Sequence, residues 1–183
     1  MISRIISLIF LIMLLPVFIM ISLLIIISDG FPIFFKQKRV GVDNSNFWIY
    51  KFRTMKKNTP DIPTHLIKDR HNLYISIGPF LRKYSMDELP QLINIFKGEL
   101  CFIGPRPSLY NQEDLIRLRT QKGISKIMPG ITGWSQVNGR DELSIEENVE
   151  KDYYYLLNKS LVLDIKIIIL TLIKVLKTED VSF

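Results

Sequence analysis

IISLIFLIMLLPVFIMISLLIIIS, residues 5–28, runs for 24 residues without a charge, and its reading decides what kind of fold the chain has. As one helix it would extend roughly 36 Å at 1.5 Å per residue, enough for a hydrocarbon core of about 30 Å. Pro16 stands near its middle, where a proline removes a backbone hydrogen bond and clashes with the preceding turn, so a kink is expected there. A kinked segment of this length either crosses a bilayer or dips in and returns to the same face. Ser3, Ser7, Ser22 and Ser28 are placed to satisfy backbone groups freed by the bend. The run is longer than the apolar core of a signal peptide, and no small-x-small cleavage site precedes the charged segment that follows.

Outward from this run, the charge pattern orients the chain. Between residues 36 and 57, Lys36, Lys38, Arg39, Lys51, Arg53, Lys56 and Lys57 face only Asp43, within a whole chain of net charge +6. Cations beside an apolar segment stay on the cytoplasmic side, and they are attracted to anionic headgroups. No nucleic-acid module accompanies them, so membrane lipid rather than nucleic acid is the expected partner. The 183 residues suit one domain, and a lone cysteine, Cys101, rules out an intrachain disulfide.

The remainder reads as an α-rich α/β fold. Residues 31–55 alternate aromatic and β-branched residues around the polar DNSN, which predicts a β-hairpin. Residues 56–72, with two prolines, read as a surface loop, and His65 and His71 within it lack metal-ligand spacing. Leu89, Leu92, Ile93 and Phe96 recur at helical spacing up to Gly98, which predicts one amphipathic helix. Residues 111–122 predict a charged helix, and residues 144–158 another. Residues 128–140 predict a glycine-punctuated loop or short strand. In residues 160–177, Lys166, Lys174 and Lys177 fall within an arc of about 80° on a helical wheel. That suits an interfacial helix with lysines toward headgroups; a core helix packed on the domain is the alternative.

Three groups of residues could carry chemistry. Arg82, Lys83, Asp87 and Glu88 lie within seven positions, and adjacent carboxylates beside cations suit a divalent metal or nucleophilic attack on an electrophile. The same Ser85-Met86-Asp87-Glu88 matches a helix capping box. Arg106 sits between Pro105 and Pro107, whose fixed φ angles suit either a positioned phosphate-binding arginine or a rigid turn. The glycines of PGITGW (129–134) could bring backbone amides to a ligand or serve turns. Asp141, Glu142 and Asp152 suit a solvated face or a metal or sugar contact. Walker A, G-x-G-x-x-G and G-x-S-x-G patterns are absent.

Taken in order, PIFFKQKRVG, FWIYKFRTM, LRKYSMDELPQLINIFKGEL, FIGPRP, PGITGWSQVNGR and the Asp152 D-Y-Y-Y element resemble the bacterial sugar transferases known as small monotopic phosphoglycosyl transferases. The resemblance runs from about Pro16 to Lys177. It implies a re-entrant membrane helix over residues 1–30, and over residues 31–183 a catalytic domain with interfacial helices at the cytoplasmic face of the bacterial inner membrane. The implied reaction moves a sugar-1-phosphate from a UDP-sugar, of the N-acetylated amino type, to undecaprenyl phosphate with release of UMP. Asp87 is implied as the nucleophile of an aspartyl-phosphosugar intermediate, and Glu88, with Asp87, as the ligand of Mg²⁺. Arg82, Arg106, Arg140 and Asp152 are implied as substrate or phosphate contacts. Leu15-Pro16 stands where some relatives carry Ser-Pro. A membrane-anchored scaffold for glycan enzymes is the competing reading. Whether the protein is a monomer or a homo-oligomer is left open.

Overall fold

Pro16 does bend the apolar run. In the computed structural model, which describes residues 1–57, 59, 73–139 and 142–177, helix α1 (Ile2–Met13) ends at Leu14 and α2 (Leu15–Asp29) begins with Pro16 in its first turn. There the missing N–H costs nothing, because first-turn N–H groups have no intrahelical partner. The two axes differ by 61°. Neither helix alone is long and apolar enough to cross a membrane, whereas the bent pair together passes on length and composition. Ser7 and Ser22 donate to the carbonyls of Arg4 and Phe18, which keeps their hydroxyls satisfied within the helices.

The expected hairpin follows: β1 (Phe34–Val40) pairs antiparallel with β2 (Asn46–Phe52) across a tight connection in which Asp43 and Asn44 take positive φ. Beyond residues 60–72, which lie outside the described residues along with His65, His71 and most of the expected surface loop, the predicted amphipathic helix is divided. Helix α3 (Gly78–Lys83) stops, Ser85 turns left-handed at φ 53°, a 3₁₀ turn spans Met86–Glu88, and α4 (Gln91–Lys97) follows. Gly98 ends α4 at φ 84°, as the sequence pattern requires.

Two cores hold that broken segment. Ile21 and Ile25 of α2 pack with Phe52, Ile75 and Leu81, and Met86 and Leu89 lean on this cluster from either side of the 3₁₀ turn. Leu92 and Ile95 join Phe47, Ile49 and Leu100, with Leu11 of α1 and Leu14 at the bend against them. Each buried aliphatic or aromatic side chain contributes about 1.5–3 kcal/mol, so the residues bracketing Asp87 and Glu88 are anchored on both sides. The apolar N-terminal helices thus share their core with the hairpin and α4.

The second half is built on a parallel pair, β3 (Cys101–Ile103) with β4 (Gly130–Thr132). Around it lie α5 (Glu113–Gln121), the short α6 (Trp134–Val137), α7 (Ile145–Asn158) and α8 (Leu161–Lys177). The glycines of PGITGW serve the strand crossing. A Cβ on Gly130 would come within 2.1 Å of Gly104 N, and one on Gly133 within 2.1 Å of Gly104 O. Close backbone approach, rather than ligand access, explains both.

Helix α8 answers the question left open for it. Leu163 and Ile167 are buried against Val137 and Tyr155, so one face is a core face. Its opposite face exposes Ile165, Ile168, Ile169, Leu172, Ile173 and Leu176 to the outside, an apolar surface of the kind that marks a membrane or partner contact. The lysines do not make a single outward row: Lys166 lies over the Trp134 ring at 5.3 Å, and Lys174 is half-buried.

Candidate active site

The 3₁₀ turn carries the two carboxylates. Asp87 is buried at 7% exposure, and Glu88 accepts from Lys51 Nζ of β2 at 2.6 Å. Arg106 Nη1 lies 3.9 Å from the same Glu88 oxygen. The expected capping box is not formed at this turn: Ser85 is left-handed and makes no side-chain cap hydrogen bond, because its φ carries the side chain away from the N–H groups ahead. The box occurs instead at Ser144, whose Oγ accepts from Glu147 N while the Glu147 carboxylate accepts from Ser144 N, and it starts α7.

Lys51 is the site's unforeseen member. The sequence offered it as one of a row of headgroup-facing cations, yet its ammonium is enclosed by the carboxylate turn. Burial lowers its pKa from the usual 10.5; Glu88 and Asp87 pull it back up, and Arg106 adds to the lowering. Arg53 leaves the row too. Its guanidinium is buried at the C-terminal end of α2, bonded to the Asp29 carboxylate and to the carbonyls of Asp29, Gly30 and Pro32. It thereby satisfies carbonyls that the helix end leaves open.

Arg82 is held from two sides. Its Nε donates to Thr54 Oγ1 at 2.9 Å and its Nη1 to the Tyr74 hydroxyl at 3.3 Å, with the guanidinium over the Tyr74 ring. Arg106 occupies the loop after β3, half-buried between the buried Pro105 and Pro107. That loop is fastened by its backbone: Arg39 Nη1 donates to Pro107 O at 3.0 Å, and Arg119 Nη1 donates to Arg106 O at 2.7 Å.

Asp152 stands elsewhere. It is 0% exposed and accepts from Arg119 Nη2 at 2.5 Å, with Asn148 Oδ1 accepting from the same nitrogen. Burial raises its carboxyl pKa, and the Arg119 charge works against that rise. The structure therefore brings Asp87, Glu88 and Arg106 together, joins Lys51 to them, and seals Asp152 behind the Arg106 loop. Arg140 and Asp141 lie outside the described residues. Cys101 is no rival nucleophile, since burial pushes its thiol up to about 11 and keeps it protonated at neutral pH.

Beside the carboxylate turn lies a cavity of about 330 Å³, walled by α1, the turn, β4, α6 and α8. Among the described residues no group of three or more His, Cys, Asp and Glu side chains is gathered for a metal. Asp87 and Glu88 alone still suit Mg²⁺, which is usually bound through one or two carboxylates together with substrate phosphates and waters.

A carboxylate pair beside cations, with Glu88 lining a largely apolar cavity and exposed apolar helices nearby, is an arrangement able to meet a phosphate group. The family model described as bacterial sugar transferase matches residues 1–178, and the chain belongs to that family. It is 44% identical over 155 residues to an uncharacterized sugar transferase, EpsL, of Bacillus subtilis (strain 168), covering 84% of this chain and 74% of that protein. It is 36% identical over 166 residues to the UDP-glucose:undecaprenyl-phosphate glucose-1-phosphate transferase of Escherichia coli (strain K12), covering 87% of this chain and 36% of the relative. The UDP-N-acetylgalactosamine-undecaprenyl-phosphate N-acetylgalactosaminephosphotransferase of Aeromonas hydrophila is 34% identical over 162 residues, covering 86% of this chain and 38% of the relative. The chain thus spans little more than a third of the length of these last two.

Proposed function

We propose that this protein transfers a sugar-1-phosphate from a UDP-sugar to undecaprenyl phosphate at the cytoplasmic face of the membrane, with Asp87 as nucleophile. The observation that carries the reading is the Asp87-Glu88 turn set against Lys51 and Arg106 at the edge of an apolar cavity, in a chain of this family. An Asp87 carboxylate oxygen attacks the β-phosphorus, the bond from that phosphorus to the bridging oxygen breaks, and UMP leaves with that oxygen. A phosphate oxygen of the lipid then attacks the same phosphorus, freeing Asp87 and giving the polyprenyl-diphosphate sugar. Two displacements let a water-soluble donor and a lipid acceptor use one nucleophile in turn.

Arg106, fixed at its backbone by Arg39 and Arg119, offsets phosphate charge without having to be ordered during reaction. Lys51 holds Glu88 in place. Glu88 and Asp87 would hold Mg²⁺, which when bound neutralises diphosphate charge. On this reading residues 1–30 form a re-entrant, membrane-embedded hairpin, supported by the 61° bend at Leu14 and by the exposed Ile5, Ile9, Ile12, Ile19, Leu23 and Ile27. Residues 31–183 form the catalytic domain. The donor is taken as an N-acetylated amino sugar, the class named in the Aeromonas relative.

The test is UMP release by nanodisc-held protein with Mg²⁺, undecaprenyl phosphate and a panel of UDP-sugars. Release with an N-acetylated donor, and none after EDTA treatment, is expected. Release with UDP-glucose alone would replace the donor assignment, activity in EDTA would remove the metal, and silence with every donor would favour the scaffold.

A further inference from the structure

The cavity beside the carboxylate turn is walled chiefly by Phe10 of α1 and Leu14 at the bend together with Leu89, Leu92, Ile131 and Val175. At about 330 Å³ it lies in the range of small-ligand sites. Its charged groups are Glu88, from the site described above, and Lys174, from the last turn of α8. Ser85, Thr132, Gln136 and Thr171 form a polar edge; Thr132 and Thr171 are hydrogen-bonded to each other at 2.7 Å, which ties β4 to α8 at this wall, and the Gln136 amide N–H is spent on Ile131 O. Such a lining is a poor match for a nucleotide sugar, whose many hydroxyls and amides would be stripped of water against leucine, isoleucine and phenylalanine with only the narrow polar edge to replace it. It matches a ligand with an apolar body and one anionic end.

The location narrows the ligand further. Phe10 belongs to the apolar helix that stops at Leu14, and Val175 and Lys174 belong to the helix whose outer face is Ile168, Leu172, Ile173 and Leu176. A lipid lying among these exposed apolar surfaces needs to move little to bring its phosphate to Lys174, beside the carboxylate turn. Lys174 is the one cation in the lining among the described residues, and it leaves the outward-facing arc that the helical wheel assigned to it.

Resting on the transferase reading above, we propose that this cavity is the acceptor site, where the first isoprene units of undecaprenyl phosphate lie between α1 and α8 and Lys174 meets the lipid phosphate. The nucleotide sugar then occupies the Arg106 side of the carboxylate turn, and the lipid approaches from the opposite side. Lys174 is a specificity residue for the second displacement and has no part in the first.

Two experiments test this. In nanodiscs, undecaprenyl phosphate bearing a diazirine in its phosphate-proximal isoprene units is photolysed with the wild-type protein, and labelled peptides are mapped. Labelling is expected on residues 10–14 and 171–175, competed by undecaprenyl phosphate and not by an equal mole fraction of phosphatidylglycerol. Labels elsewhere, or equal competition by phosphatidylglycerol, would overturn the assignment. Kinetically, Lys174→Ala is expected to raise KM for undecaprenyl phosphate about tenfold or more, the loss of one charge-assisted hydrogen bond. KM for the UDP-sugar and acceptor-free single-turnover UMP release should stay within about twofold by the same reasoning. Lys174→Arg should restore most of the acceptor KM, and an unchanged acceptor KM in Lys174→Ala would sink the role given to Lys174. Photolabelling requires no turnover, so a protein inactive with every donor would break the transferase reading while this site is still decided by the label map.

Discussion

Two carboxylate–cation groups flank the GPRP loop, and they differ in what surrounds them. On one side the Asp87-Glu88 turn meets Lys51 and Arg106, with Glu88 lining the cavity and Arg106 27% exposed at its side chain. On the other side Asp152 and Arg119 are closed off, at 1% and 9%. In both, desolvation and charge pairing oppose each other and desolvation is the larger: it lowers the pKa of Lys51 and raises that of Asp152. The lesson is that chemistry of side chains does not assign role. The cluster with access to a cavity can meet a reactant. The sealed pair can act only through what it holds, and it holds the Arg106 carbonyl.

The largest expected effect separates the two groups outright. Asp87→Asn should reduce turnover by about a thousandfold or more while leaving the melting temperature near that of the parent, since a nucleophile is lost and little packing changes. Near-parental turnover would remove Asp87 from the chemistry and leave the two carboxylate–cation groups alike in role. Next, Asp152→Ala should cost about 3–5 kcal/mol in denaturant unfolding, because it strands the Arg119 charge in a dry site. The double variant Arg119→Met, Asp152→Leu should recover much of that loss, as apolar replacements of buried pairs often do. Full stability with lost activity in Asp152→Ala would instead make Asp152 a substrate contact.

A pH profile sharpens the open side. Lys51 has a pKa below 10.5, so as pH rises it loses its charge earlier than a surface lysine and releases Glu88. The alkaline fall in kcat/KM should therefore centre below 10.5, and Lys51→Arg should carry that fall to higher pH. The smallest effect is at the helix that supplies Asp152. Glu147 has a pKa lowered from 4.5, first by the Ser144 backbone N–H. A carboxylate with a depressed folded pKa stabilises above its unfolded value, and that contribution goes as pH falls from about 4.5 through the folded value. Glu147→Gln should flatten this acid limb of the melting curve slightly, with neutral-pH activity unchanged.

Much of this was legible in local pattern. The hairpin followed from alternation around DNSN, the helices at 113–121, 145–158 and 161–177 from periodicity, and the bend from Pro16. Ser85 misled, because S-x-x-E describes a cap only if the serine is extended, and here it is left-handed; the same pattern at Ser144 does form the cap. Arg119 had one local signal, the polar Asn148 and Asp152 four apart on a helix face that also buries Val149. Nothing local pointed to Arg53 or Lys51, whose partners lie 24 and 37 positions away.

By itself, then, the sequence determined the family, the apolar helix with its bend, the hairpin and the Asp87-Glu88 pair, because each is written in residues close together along the chain. Only the tertiary structure decided which cations meet those carboxylates, that Asp152 is sealed behind the Arg106 loop, that the PGITGW glycines serve strand packing, and that Lys174 borders the cavity. The physical reason is that burial and pairing depend on which distant segments share a core, and for a charged side chain those two quantities set both its protonation and what it can touch.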